Sequence, residues 1–320
     1  MTDPRDQIPH ILLADVNGLR ASIALVERGG TPTDVKTVDC ASQDELIALL
    51  VKLRDGFDGP VLGVGVAAPG PNLDGVIQLT HSPMRLEADV IAERLDLHRL
   101  HLVNNFTARA MAVPLLDGPA LEQIGGGAPH RDAPAGAIGP SEGGVGMSIL
   151  NPDGFVGWMA AAAEGGHVDL AAANAREAEV IGVLRDMHGH VSTEHVLSGQ
   201  GVLDVAYALS VLAGAPARPI DMAALLAAAR QGDPIARETF ALVSGWLGAV
   251  SGNLVLMAGA RSGVYIISAT VLSWAEMLDR ALVRERFEAK GRMAAYLRDV
   301  PLYLVNEPNC GLLGLTAFFN

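Results

Sequence analysis

The stretch Ile11-Leu-Leu-Ala-Asp15-Val-Asn-Gly18-Leu-Arg-Ala21-Ser-Ile-Ala-Leu-Val26 decides the reading of the fold. An apolar run closes on an acid at Asp15, Val16–Gly18 forms a turn, and Ala21–Val26 returns as a second apolar run. That pattern is a strand, a tight glycine-containing turn and a returning strand. The second half of the chain opens the same way. Ala137-Ile138 leads into Gly139-Pro-Ser-Glu-Gly-Gly-Val-Gly146, and an apolar run follows. A glycine turn between strands can present backbone N–H groups to phosphate oxygens, and an acid at the strand end can hold magnesium through water. Each turn alone reads equally as an ordinary hairpin.

Between and beyond these units, strand and helix signals alternate. Ser42-Gln-Asp-Glu45 has capping-box spacing ahead of Leu46, Leu49, Leu50 and Leu53, which predicts a helix ending in the Gly56–Pro60 cluster. Val61–Ala67 is a strand, Glu87–Leu97 has helical spacing, His101–Asn104 is a short strand and Thr107–Leu116 returns to helix. Gly125–Pro140 is rich in Gly, Ala and Pro and reads as a mobile loop or a domain connection. Helical patterns fill Ala171–Leu226 and Asp233–Met257, and Val264–Ile267 and Leu302–Val305 are late strands. This alternation predicts a mostly parallel α/β sheet.

Composition narrows the function classes. At 320 residues the chain has room for two lobes, and half of its residues are hydrophobic, which excludes a disordered or fibrous protein. Lys+Arg 23 against Asp+Glu 36 gives a formal charge of −13, with lysine only at 36, 52 and 290, so no nucleic-acid partner is expected. Cys40 and Cys310 stand alone, with neither disulfide nor zinc-ligand spacing, which fits a reducing compartment. Met1–His10 is polar and lacks the pattern of an export signal, so a cytoplasmic location is expected. Leu242–Ala260 is free of charge over a length that could span a bilayer. Gly245, Gly248 and Gly252 dilute its apolarity at helical spacing, favouring a buried helix that another backbone or a ligand approaches, with no membrane.

Three clusters carry polar chemistry. Asn104-Asn105-Phe106 closes a strand with paired amides that could contact a ligand or cap the following helix. Glu164-Gly-Gly-His167-Val-Asp169 keeps the backbone bare between a carboxylate and an imidazole, as a small polar ligand requires. His190-Val-Ser-Thr-Glu194-His-Val-Leu-Ser198-Gly puts an acid in a first helical turn, where the macrodipole favours it without any function. His188, His190 and His195 lie close in sequence, but no second His/Cys cluster supports a metal site.

Taken in order, these pieces resemble the bacterial glucokinase family, within the actin-like ATPase and hexokinase group. The resemblance is carried by Leu13–Leu25, Val103-Asn-Asn-Phe-Thr-Ala-Arg-Ala-Met-Ala-Val-Pro-Leu-Leu116, Glu164–Asp169, His190–Gly201, Ser251-Gly-Asn-Leu254 and Cys310-Gly-Leu-Leu-Gly314. It implies an α/β, two-lobed actin-like (ribonuclease H-like) fold of sugar-kinase type. A small lobe of residues 1–112 plus 303–320 and a large lobe of 113–302 would flank a hexose cleft. It further implies glucose as the hexose, ATP and Mg2+ as co-reactants if the chain is an active kinase of glycolysis, and a homodimer.

The matches and departures divide by ligand. Hexose contacts implied by the resemblance are Asn104, Asn105, Glu164, His167 and Glu194. The family's first phosphate loop, D-x-G-G-T-x-x-R, appears as Asp15-Val-Asn17-Gly18-Leu19-Arg-Ala-Ser22, keeping Asp15 and Gly18 but losing a glycine, the threonine and the arginine. Its second, G-x-G-T-G-L-G, appears as Gly139-Pro-Ser141-Glu142-Gly143-Gly-Val145, with Glu142 in place of threonine. A carboxylate ~4 Å from a phosphate would repel it by roughly 4 kcal/mol at an effective dielectric of ~20 unless it turned into solvent. The adenosine-side glycine pair appears as Ser268-Ala269 after Ile267. The family's asparagine–histidine pair after the third strand appears as His81-Ser82.

The family's catalytic aspartate, which takes the proton of the sugar 6-hydroxyl, corresponds to Asn105. An amide hydrogen-bonds a hydroxyl but accepts no proton at neutral pH, and losing a positioned base costs ~10²–10⁴ in rate. The reading that follows is a hexose-binding relative with degraded ATP loops, inactive or very weak as a kinase, that senses sugar or binds a regulatory protein. The alternative is an active ATP-dependent glucokinase with non-standard motifs. A transcriptional regulator on the same fold finds no helix-turn-helix in Met1–His10.

Overall fold

The computed structural model describes residues 8–80, 82–154 and 157–320. They form two compact units, one of residues up to Asp117 together with Glu307–Asn320, the other Gly118–Asn306. The second crossing falls after Asn306 rather than after 302, because Leu302–Val305 pairs with Gly263–Ile266 and Leu121–Gln123 inside the second unit.

In the first unit the strands His10–Asn17 and Arg20–Glu27 form the expected hairpin, with Asn17 opposite Arg20. Gly18 takes φ +62 as the first of two turn residues, the left-handed geometry that matches the twist of flanking strands. Lys36–Asp39 lies outside Arg20–Glu27, while Val61–Ala68 and Leu100–Asn104 add in parallel on the far side of His10–Asn17. The capping box works as read from the sequence. Ser42 accepts from the Glu45 N–H and the Glu45 carboxylate reaches back to the Ala41 N–H, starting the helix Gln43–Asp55. One face of the sheet is sealed by Leu46, Ile47, Leu50, Ile91 and Leu95, and the other by Leu312, Leu315 and Phe319 from the C-terminal segment.

The second unit is built on a six-stranded sheet in the order Trp158–Ala163, Val145–Pro152, Ala135–Pro140, Gly263–Ile266, Leu302–Val305, Leu121–Gln123. Only its central pairs are parallel, so both large sheets are mixed rather than mostly parallel. The hairpin geometry of each glycine turn forces its two strands antiparallel. Ala135–Pro140, read as part of a mobile connection, is a wholly buried strand. Its Gly, Ala and Pro content reflects close packing, since a Cβ on Gly136 would meet Leu254 at 2.7 Å. The turn proper is Ser141–Gly144, with Gly139 and Pro140 still in the strand.

The helix Pro234–Ala258 is capped by the Asp233 side chain and buries Phe240, Trp246, Leu247 and Leu254 within its unit. Its bare face receives the helix Arg280–Glu288. A Cβ on Gly248 would sit 2.0 Å from the Val283 carbonyl oxygen and one on Gly252 2.4 Å from that of Phe287. Another backbone, not a ligand, occupies that face.

Candidate functional site

In the first unit the polar residues converge where strands end and helices begin. Asn17 donates through its side-chain nitrogen to Asp15 Oδ1 at 3.2 Å, and Asn105 donates to Asn17 Oδ1 at 3.2 Å. A relay of fixed polarity thus runs from Asn105 to the carboxylate of Asp15. Burial pushes the Asp15 carboxyl up from its usual range, opposed by the charge of Arg109 and the bond from Asn17. Asp15 Oδ2 lies so close to Gly311 that a Cβ there would approach it to 2.4 Å.

Asn104 is a structural residue in this unit. Its Oδ1 accepts from the N–H groups of Phe106 and Thr107, at 2.8 and 3.2 Å, and its amide nitrogen donates to the Gly70 carbonyl at 3.0 Å. The capping role is therefore realised, with one side-chain N–H left over. Asn105 opens the helix Asn105–Met111, and its carbonyl oxygen is not engaged by the relay. Gly18 and the 61%-exposed Leu19 form the hairpin tip, and Ser22 pairs with the Thr37 hydroxyl instead of facing the turn. His81 lies outside the described residues. Its neighbour Ser82 accepts from the Met84 N–H.

In the second unit, Val145 links the two remaining clusters. Its N–H donates to Glu194 Oε2 at 3.2 Å, and its carbonyl lies beneath Gly166, where a Cβ would come within 2.3 Å. A Cβ on Gly165 would strike Met147 Sδ at the same distance. The glycines between Glu164 and His167 are thus required by packing on the strand, a reason the sequence reading missed. The turn they form leaves both flanking side chains mostly exposed, with His167 Nε2 4.0 Å from Glu164 Oε2. Segment 168–170 then pairs with 191–193, which sets Glu164, His167 and Glu194 around one strand end. The acid that the macrodipole alone would explain therefore has a specific partner in Val145.

Glu142 is exposed, and its carboxylate lies beside two neighbouring elements of the same unit. Its Oε1 accepts from the Thr270 hydroxyl at 3.3 Å, and its Oε2 lies against Gly199, where a Cβ would be 2.4 Å away. Gly199 opens the helix Gly199–Leu212, so this carboxylate rests on an N-terminal turn where the macrodipole favours an anion. Gly143 is exposed beside it. Ser268 caps Ala269–Ser273 and donates its hydroxyl to the Pro140 carbonyl, fastening the Ser268-Ala269 turn to the Ser141–Gly144 turn. The sequence reading missed Thr270, whose hydroxyl bonds Glu142, and Gly199, which lies against its carboxylate. The signal was present in Ser198-Gly-Gln-Gly201, whose cap and glycines mark a helix start.

The three histidines find protein partners. His190 pairs with Asp169 at 2.6 Å and His188 with Asp204 at 3.1 Å, while His195 stacks on His188 with centroids 4.3 Å apart. Burial and the neighbouring His188 both lower the His195 pKa. Among the described residues no three His, Cys, Asp or Glu side chains gather in a way that could hold a metal ion. The Ser141–Gly144 turn thus carries a carboxylate, bonded by the Thr270 hydroxyl and close to Gly199, beside the exposed Gly143.

Residues 12–320 match the family model described as Glucokinase. A glucokinase-like protein of Caulobacter vibrioides is 38% identical over 306 residues, covering 95% of each chain. The crystal structure of a glucokinase from an Antarctic psychrotroph superposes with a TM-score of 0.87 at 27% identity, covering 97% of this chain and 98% of that one. A glucokinase from Balamuthia mandrillaris, solved in complex with glucose, shares the fold with a TM-score of 0.77 at 18% identity, over 97% and 93% of the two chains.

Proposed function

The chain belongs to the glucokinase family, with the α/β fold of the actin-like ATPase, sugar-kinase type, and we propose that it keeps hexose binding while ATP-dependent phosphorylation is lost or nearly lost. Asn104, Asn105, Glu164, His167 and Glu194 serve the hexose, which is glucose. Carboxylates that accept and amides that both donate and accept suit vicinal hydroxyls. The observation that carries the reading is Asn105. It stands at the position of the family's base as an amide with one of its two N–H groups committed to Asn17. The Glu142 carboxylate on Gly199 supports the same conclusion from the nucleotide side. The protein acts in the cytoplasm as a homodimeric sugar-binding relative, without nucleic acid or membrane, and passes its state to a protein partner.

Calorimetry with glucose and, separately, with a non-hydrolysable ATP analogue in magnesium tests the proposal, together with a coupled assay for glucose 6-phosphate. Glucose should bind, the analogue should not, and turnover should fall far below ordinary rates. A kcat of ~10 s⁻¹ or more, an ordinary enzyme rate, would overturn it.

A further inference from the structure

In the second unit Arg176, Arg218, Arg230, Arg280, Arg284 and Arg286 each hold a carboxylate. Arg131 and Arg261 do not. Among the described residues neither pairs with an acid, and the Arg131 guanidinium has no hydrogen-bond partner. Both are exposed, and with Pro129, His130, Asp132 and Ala133 they line one cavity of about 420 Å³. That volume lies in the range of small-molecule sites. Two unpaired cations thus share one cavity in a chain of formal charge −13, with Asp132 as its only carboxylate.

Backbone bonds fix this arrangement. The His130 N–H donates to the Arg261 carbonyl at 3.2 Å, the Ser262 N–H to the Pro134 carbonyl at 3.0 Å, and the Ala133 N–H to the His130 carbonyl at 2.9 Å. The Arg261 guanidinium donates to His130 Nε2 at 3.0 Å and lies over the Tyr296 ring, 5.9 Å from its centroid. A guanidinium only donates, so Nε2 is the acceptor and the ring proton sits on Nδ1. That N–H has no partner among the described residues.

We propose that this cavity binds a small phosphomonoester carrying hydroxyl groups. Arg131, Arg261 and the His130 Nδ1–H hold the phosphate, and Asp132 accepts from a hydroxyl. Three donor groups match the three free oxygens of a phosphomonoester, whereas a carboxylate offers two. The cavity exceeds the size of a phosphate, and Asp132 suits a group that donates. The site precedes the parallel strands Ala135–Pro140 and Gly263–Ile266, whose far ends carry the Ser141–Gly144 and Ser268-Ala269 turns. Six residues at ~3.3 Å each separate the two places by about 20 Å. It is therefore distinct from the groups assigned above to hexose and nucleotide, and stands or falls apart from them.

Calorimetric titration of the full chain with glycerol 3-phosphate, inorganic phosphate and glycerol tests the site. Glycerol 3-phosphate should bind most tightly, inorganic phosphate more weakly, and glycerol not at all. Arg131→Gln and Arg261→Gln should each weaken glycerol 3-phosphate about 10-fold or more. Arg131→Gln loses no intrachain bond, so its thermal unfolding should match the wild type. Arg185→Gln, on an exposed position of the helix Ala175–His188, removes the same charge elsewhere and should leave affinity unchanged. Asp132→Ala should erase the advantage of the ester over inorganic phosphate. No binding of either phosphate probe at millimolar concentration, or equal weakening by Arg131→Gln and Arg185→Gln, overturns the site. Equal affinity of the wild type for ester and inorganic phosphate overturns the assignment of an ester.

Discussion

Neutralising Glu142 should open the second unit to phosphate-bearing ligands. Its carboxylate sits on the first turn of Gly199–Leu212 with a bond from Thr270, and so already takes the stabilisation that this helix end offers an anion. That loss to an incoming phosphate is about 0.3–1 kcal/mol. Direct repulsion adds roughly 4 kcal/mol at ~4 Å and an effective dielectric of ~20, falling to about 1 kcal/mol in bulk water. Glu142 is exposed, so the sum should lie near ~2–3 kcal/mol, or about 30- to 150-fold in affinity. Titration with a non-hydrolysable ATP analogue should therefore show tighter binding by Glu142→Gln, which keeps the shape and removes the charge. Glu142→Thr, which also clears Gly199, should bind tighter still. Because the term is electrostatic, raising the salt should narrow the gap between wild type and Glu142→Gln. Equal affinities for all three proteins, or tight binding by the wild type, would refute the reasoning.

Three further outcomes follow from the packing and polar contacts. Asn105→Asp alone should restore less than ~10-fold of phosphotransfer, because the new carboxylate would face Asn17 Oδ1, whereas Asn105→Asp with Asn17→Gly should do measurably better in a coupled assay. Glu177 is 2% exposed and accepts from Ala173, Asn174, Trp246 and Arg286, so Glu177→Ala should cost about 3–5 kcal/mol in denaturant unfolding by stranding Arg286. Burial, with Arg286 nearby, lowers the Lys290 pKa from 10.5 to about 8. Between those values the unfolded chain binds the extra proton, so stability should rise with pH across that window for the wild type relative to Lys290→Met, as thermal melts would record.

Much of the fold was legible because local rules and tertiary demands agree. The hairpin at Gly18, the Ser42–Glu45 capping box and the long helix after Asp233 each follow from a few neighbouring residues. Ala135–Pro140 failed because the same small residues that signal a loop also suit a strand pressed beneath Leu254. Sheet direction failed for a different reason. Alternating strands and helices suggest parallel pairing, whereas each sheet gains antiparallel strands from a glycine hairpin, and that count depends on which strands share an edge.

Site legibility stopped at residue type. Asn104, Glu164 and Glu194 match a hexose pocket by identity, yet Asn104 spends most of its amide on a helix cap and Glu194 spends one oxygen on Val145. Such commitments need not oppose binding, since a side chain held by the backbone is already oriented and loses little freedom when a hydroxyl arrives. The nucleotide side shows the converse. Glu142 is exposed and bonded by the Thr270 hydroxyl alone at 3.3 Å, but it carries the sign of the ligand that the proposed reading says it excludes. On the proposed reading, orientation by the scaffold favours the sugar and opposes the phosphate for one physical reason: a side chain already held in place presents its charge wherever the scaffold sets it.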